Sequence, residues 1–157
     1  MFKKILVPLD GSKLAECVLP YAEALAKGCS TGEVTLVSVT ERVPGYRPVE
    51  DHGQPLGQRL VPEAAGKKAR QAQRYLGRIA KAMEAKGIKV DTEVLLGSPA
   101  EEIAIYAKHP GCDVIVMSTH GRSGPSRWAH GSVADKILRA SCVPVLMARA
   151  PGCVPGI

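Results

Sequence analysis

Residues 4–12 read KILVPLDGS. An apolar run of strand length stops abruptly at Asp10-Gly11-Ser12. A run this short, with no polar alternation, predicts a strand buried on both faces, as in parallel sheets. Ser12 is a helix N-cap type, and Ala15, Val18, Leu19, Ala22 and Leu25 then recur on one helical face to about Lys27. Strand, tight turn and helix is the first half of a βαβ unit. Pro20 lies inside the predicted helix and predicts a kink, at a cost of about 3 kcal/mol.

Working outward, the same alternation repeats. Val34–Val39 is rich in β-branched residues and predicts a second strand. Ala65, Ala69, Ala72, Leu76, Ile79 and Met83 recur at spacings of 4, 3, 4, 3 and 4, one apolar helical stripe that ends at Gly87. Ile88–Leu95 alternates as a third strand. Ser98-Pro99-Ala100-Glu101 has the composition of a capping box with proline at the first helical position, and predicts a helix to about His109. Asp113–Met117 is a fourth strand, Ser132–Ala140 a fourth helix and Val143–Arg149 a fifth strand. The pattern predicts an α/β fold: an open five-stranded parallel sheet with helices on both faces; the half-Rossmann order 3-2-1-4-5 is adopted for it as an assumption that the pattern does not itself fix. One domain over 1–149 is expected. The segment 41–62 holds four prolines and three glycines and is expected to be a flexible loop, and 150–157 a disordered tail.

Composition narrows the partners. Aromatic residues make up 4% of the chain, so the core is aliphatic. No apolar run approaches the roughly 20 residues of a membrane span, and no leader segment is visible, so a cytoplasmic protein is expected. The cysteines are five and show no C-x-x-C spacing, which reads as reduced structural thiols. The net charge is +6, and it is concentrated: Lys67, Lys68, Arg70, Arg74, Arg78, Lys81, Lys86 and Lys89 stand against Glu84 alone. No aromatic interleaving or reader motif accompanies them, so a solvated face is expected and nucleic acid is not the expected partner.

In an open parallel sheet the ligand lies beyond the carboxyl ends of the strands, where strand order reverses. With order 3-2-1-4-5 that point lies between strands 1 and 4. The loop after strand 1 is Asp10-Gly11-Ser12, and the loop after strand 4 is STHGRSGPSRWAHGS, residues 118–132. Gly121 and Gly124 permit close backbone approach. Gly131-Ser132 opens a helix whose N–H groups and dipole favour a phosphate. Arg122 and Arg127 add positive charge, and Asp10 suits a base amine or a ribose hydroxyl. A plain turn and a simple cap by Asp10 and Ser12 are the competing readings. The P-loop spacing and the G-x-S-x-G elbow are absent from the sequence. LDGS, residues 9–12, also resembles the start of a phosphatase loop, but Pro8 stands where that chemistry puts its nucleophile. His120 is the stronger acid–base candidate in the loop and His130 the weaker, and His120 lacks a partner in sequence.

VPLDGS, MSTHGRSG and HGSVADKIL followed by CVPVLMAR, together with GSPAEEI, resemble the universal stress protein family over about residues 3–149. The ATP-binding branch carries G-x2-G-x9-G-[ST]; here Gly121, nine residues and Gly131-Ser132 match it, and Ser118 takes the first glycine position. The resemblance implies that Pro8, Asp10 and Val39 line the adenine, with Ser12 beside them. It implies Met117 and Ser118 near base and ribose, and Gly121, Arg122, Gly131, Ser132 and Val133 around the phosphates. It further implies ATP (or AMP/ADP) with Mg2+ held by the phosphates, and a homodimer through Val143–Arg149. The expected function is a nucleotide-dependent stress-response or signalling module with little or no turnover. A slow nucleotide hydrolase or phosphotransferase, and a nucleotide-free member of the family, are the alternatives.

Overall fold

A computed structural model describes residues 2–29, 33–44, 66–108, 112–119 and 133–149. The elements run β1 (Lys4–Pro8), α1 (Lys13–Glu16), α2 (Leu19–Gly28), β2 (Glu33–Thr40), α3 (Gly66–Glu84), β3 (Lys89–Leu96), α4 (Pro99–Tyr106), β4 (Val114–Ser118), α5 (Val133–Ala140) and β5 (Val145–Ala148). The five strands form one parallel sheet in the order β3-β2-β1-β4-β5. The assumed order therefore holds, and β1 and β4 are the neighbours between which the chain reverses its direction of winding.

Side-chain alternation divides the aliphatic residues between two cores. Ile5, Val7 and Leu9 of the first strand region pack with Val18 and Ala22, with Leu76, Ile79 and Met83 of α3, and with Val114 and Val116. Leu6, Val37, Ile115 and Met117 face the other way, against Ile103 and Tyr106 of α4 and Ile137 of α5. Central strands β1 and β4 are thus covered on both faces, which is why their sequences read as unbroken apolar runs. β3, at one edge, is mostly half-buried and reads as alternating.

The first helix differs from expectation. The chain makes a single turn, α1, passes through Cys17 and Val18, and restarts as α2 at Leu19. Pro20 therefore sits in the opening turn of a new helix rather than inside an old one. Its missing N–H would be unpaired there anyway, and the break removes the clash of its ring with the preceding turn. The kink and its cost are replaced by a clean restart. The capping box is also corrected: Ser98 occupies the N-cap with extended backbone, but its side chain makes no capping hydrogen bond. α4 stops at Tyr106, short of the predicted end; His109 lies outside the described residues. β5 is shorter than predicted by its outer residues. Glu41–Pro44 has no regular structure, while 45–62 and the tail 150–157 lie outside the described residues.

α3 is the longest of the described helices. Its apolar stripe is buried as predicted, with Ala69, Leu76, Ile79 and Met83 inside; Ala65 is outside the described residues. Gly87 ends the element with φ 79°, and the Ile88 N–H donates to Met83 O at 3.3 Å across the turn. This left-handed residue turns the chain directly into β3.

The amino edge of the sheet is held by charge. Asp113 Oδ2 accepts the backbone N–H groups of Lys3 and Lys4 at 2.7 and 2.9 Å, tying β4 to β1. Lys4, Glu33 and Lys89 stand in register across β1, β2 and β3. The Lys89 ammonium, with help from Lys4, holds the Glu33 carboxyl down at about 2. Asp91, beside Glu33, moves the opposite way: burial raises its pKa, and the neighbouring carboxylate raises it further.

Candidate functional site

The carboxyl edge of β1 and β4 gathers the first of the predicted loops and the start of the second. β1 is extended past Pro8 by the Leu9 N–H, which donates to Val37 O at 2.7 Å. The chain then turns at Gly11, φ 85°, a left-handed conformation that glycine adopts at little cost. Asp10 Oδ1 accepts the Ser12 N–H at 2.9 Å, and Ser12 Oγ accepts the Ala15 N–H at 3.1 Å. Ser12 is therefore a realised N-cap, with extended backbone at φ −86° and ψ 152°. The carboxylate of Asp10 is held at the mouth of the crevice by its bond to Ser12.

Across the crevice, β4 ends at Ser118, in register with Ala148 of β5. The Thr119 N–H donates to Ala148 O at 2.9 Å and fixes where the long loop departs. Val39 and Thr40 of β2 project further along the same edge, in register with Leu95 and Leu96 of β3. Alternation sorts the predicted contacts by face. Met117 belongs to the α4–α5 core and Val39 packs against it; Pro8 follows Leu6 on that same face. Pro8, Val39 and Met117 thus lie on one side of the sheet edge, with Pro8 and Val39 half-buried and Met117 buried. Ser118 falls on the opposite face, with Val114 and Val116. Its side chain is buried, at 7% exposure. The two neighbours predicted to share one role therefore stand on different sides of the sheet.

Val133 opens α5 and is 41% exposed. Gly121, Arg122, Gly131 and Ser132, predicted to surround phosphates, lie outside the described residues, as do Arg127 and His120.

Two features at this edge escaped the sequence reading. Arg42 leaves β2, donates from Nε to Leu96 O at 3.0 Å, and pairs through Nη2 with Glu102 Oε1 at 3.0 Å. The Gly97 N–H donates to Thr40 O at 2.8 Å. Together they clamp the ends of β2 and β3 to α4 beside Val39. A Cβ on Gly97, whose φ is 153°, would run into the Glu102 side chain. The signal in the sequence was Gly97 immediately before Ser98-Pro99. The second feature is Tyr75 of α3. Burial, then the nearby carboxylates of Glu16 and Asp10, push its phenol well above its ordinary pKa. The Arg78 guanidinium stacks over the ring at 5.6 Å from its centroid.

Two of the thiols, Cys17 and Cys112, point away from nucleophilic use. No two cysteines among the described residues form a disulfide. Burial raises the thiol pKa of Cys112 and of Cys17, the reverse of what an activated thiolate needs. Among the described residues no group of acidic, histidine or cysteine side chains is arranged to hold a metal ion. None of the described helices is long and apolar enough to cross a membrane.

This arrangement is shared with known proteins. Residues 1–149 match the model of the universal stress protein family. Universal stress protein MJ0531 of Methanocaldococcus jannaschii is 32% identical over 96% of this chain and 84% of its own length. The solved structure of MJ0577 from the same organism superposes with a TM-score of 0.76 at 30% identity, covering 98% of this chain and 99% of that one. The universal stress protein of Archaeoglobus fulgidus, solved in complex with dAMP, has the same fold at 16% identity, with a TM-score of 0.63 over 94% of this chain and 97% of that one. A match that spans every strand, the reversal between β1 and β4 and both loops that leave it places the chain in the universal stress protein family.

Proposed function

We propose that the chain binds an adenine nucleotide, ATP with AMP or ADP as alternatives, and acts as a nucleotide-dependent stress-response or signalling module with little or no turnover. One observation carries this reading: the Asp10 turn and the exit of the long loop at Thr119 leave adjacent strands at the point where the sheet reverses its order. The base would lie along Pro8, Val39 and Met117, and Asp10 would accept from the base amine or a ribose hydroxyl. Gly121, Arg122, Gly131 and Ser132, with Val133 behind them, would hold the phosphates through backbone N–H groups and one guanidinium. Mg2+ would arrive on the phosphates. The dAMP carried by the Archaeoglobus fulgidus protein supports this ligand class for the fold. β5 is the edge strand on the β4 side of the described sheet, as β3 is on the other, and pairing of Val143–Arg149 with a second copy would cover it. Such a module would work in the cytoplasm.

The test is mass spectrometry of small molecules released from freshly purified, denatured protein, followed by titration calorimetry with ATP. Adenine nucleotide near one per subunit, with binding lost in Gly131→Val and weakened at least about tenfold in Asp10→Ala, is the expected result. Phosphate release that survives purification and falls in His120→Ala would instead establish a hydrolase. An empty protein that ATP and Mg2+ fail to titrate would establish the nucleotide-free alternative, to which Ser118 at the first glycine position is the pointer.

A further inference from the structure

α3 carries a line of positive charge that the nucleotide site does not use. Lys67, Arg70, Arg74, Arg78 and Lys81 follow one another at steps of 3, 4, 4 and 3 residues. At 3.6 residues per turn they fall within a sector of about 80°, and the line is about 21 Å long. It lies opposite the buried stripe of Leu76, Ile79 and Met83, so it faces outward along the crest of the helix. Lys67, Arg74 and Lys81 are exposed and form no ion pair among the described residues; Arg78 keeps a long contact to Glu16 at 3.4 Å. One flank is neutralised, where Lys68 pairs with Glu41 at 2.8 Å and, past the end of α3, Lys86 pairs with Glu23 at 2.6 Å; the other flank carries Gln73, Gly77 and Glu84 and no cation. The charge left without an ion pair among the described residues, at Lys67, Arg74 and Lys81, therefore runs along a strip one helix wide.

We propose that this crest is a sequence-independent binding surface for the phosphodiester backbone of a nucleic acid. The shape of the charge decides between polyanions. A lipid surface is a plane; it would meet the neutral flanks as well as the crest, and α3 has no apolar face left to insert, because that face is buried in the core. A nucleic-acid strand is itself a line of charge, with about one phosphate per 3.4 Å of axis, so about six phosphates match the length of the crest. Tyr75, the one aromatic side chain of α3, is half-buried beneath Arg78 and offers no stacking face. Contact would thus be to phosphate and not to base, which is why the sequence carries no reader motif.

The experiment is fluorescence polarisation of the full chain with labelled single-stranded oligo(dT) and oligo(U) and a mixed-sequence duplex, each about 20 nucleotides long, across a salt series from about 50 to 200 mM. Binding indifferent to sequence, with a log–log salt slope of about −3 for the single strands, is expected. Lys67→Gln/Arg74→Gln/Lys81→Gln should weaken binding at least about tenfold and flatten the slope by about 2. Lys3→Gln/Lys27→Gln/Lys108→Gln, exposed lysines elsewhere with the same loss of charge, should leave both unchanged. Should the first triple variant melt early, Arg74→Gln alone should still flatten the slope by about 0.7. Three results would overturn the proposal: no polarisation change with any oligonucleotide at the lowest salt, equal weakening by the two triple variants, or binding to phosphatidylserine vesicles without binding to oligonucleotides.

Discussion

Gly87 shows how much of this fold rests on the conformation of single residues. Its φ of 79° is left-handed, and a Cβ placed there would meet nothing within 4 Å. Replacement by alanine therefore tests conformation and not space. Gly87→Ala should destabilise the protein by about 1 kcal/mol, read from the urea midpoint at unchanged m-value, and Gly87→Asn should recover most of it. Asp91 gives a second residue-level case, with the sign set by its raised pKa. Its charged form is disfavoured in the folded protein, so its ionisation opposes folding as pH rises through its folded pKa. Asp91→Asn should raise the melting temperature at pH 7 and lose that advantage below the ordinary carboxylate range. Glu33 has the opposite sign. Its folded pKa of about 2 means that its stabilising contribution is present above about pH 4.5 and is lost between there and pH 2. Lys89→Met should therefore make unfolding set in at a higher pH on acid titration.

At the scale of elements, packing decides what composition leaves open. β1 and β4 were legible because burial on both faces requires apolar side chains at every position. α3 was legible because its apolar stripe keeps strict helical spacing. Pro20 was not legible as a helix start, since the apolar periodicity runs through the break at Cys17 and Val18 without interruption. The two readings predict opposite signs. A proline inside a helix costs about 3 kcal/mol, so its removal would stabilise; a proline in the first turn restricts mainly the unfolded chain. Pro20→Ala should destabilise by up to about 1 kcal/mol, measured by thermal or urea unfolding. Ser98 makes a related point. Its residue type and spacing announced a cap, but hydroxyl orientation is a rotamer choice that spacing does not encode, and no capping bond forms.

For the whole molecule, strand order turns local motifs into a site. Asp10 and Thr119 are far apart in sequence; only the adjacency of β1 and β4 makes them neighbours. That adjacency came with the assumed half-Rossmann order, since the alternation of strands and helices does not encode which strands are neighbours. The sidedness of Met117 and Ser118 followed from alternation but was obscured by assigning one role to adjacent residues. The Arg42–Glu102 clamp depends on long-range contacts, which no local pattern shows. A ligand seated at this crevice would touch loops from both sides of the sheet, so it would stabilise the fold as a unit. Binding only to the native state at a ligand concentration of 100 times Kd adds about 2.7 kcal/mol. For a chain of this size each kcal/mol shifts the melting temperature by about 2–4 °C, so saturating ATP should raise it by about 5–11 °C. Asp10→Asn removes a charge but keeps an acceptor for the Ser12 N–H. It should therefore lower the unliganded melting temperature little, and should shrink the ATP-induced shift by several degrees as Kd rises. If the unliganded protein lost as much stability as the ATP response, Asp10 would be a capping residue and not a ligand contact. Differential scanning calorimetry with and without ATP separates the two.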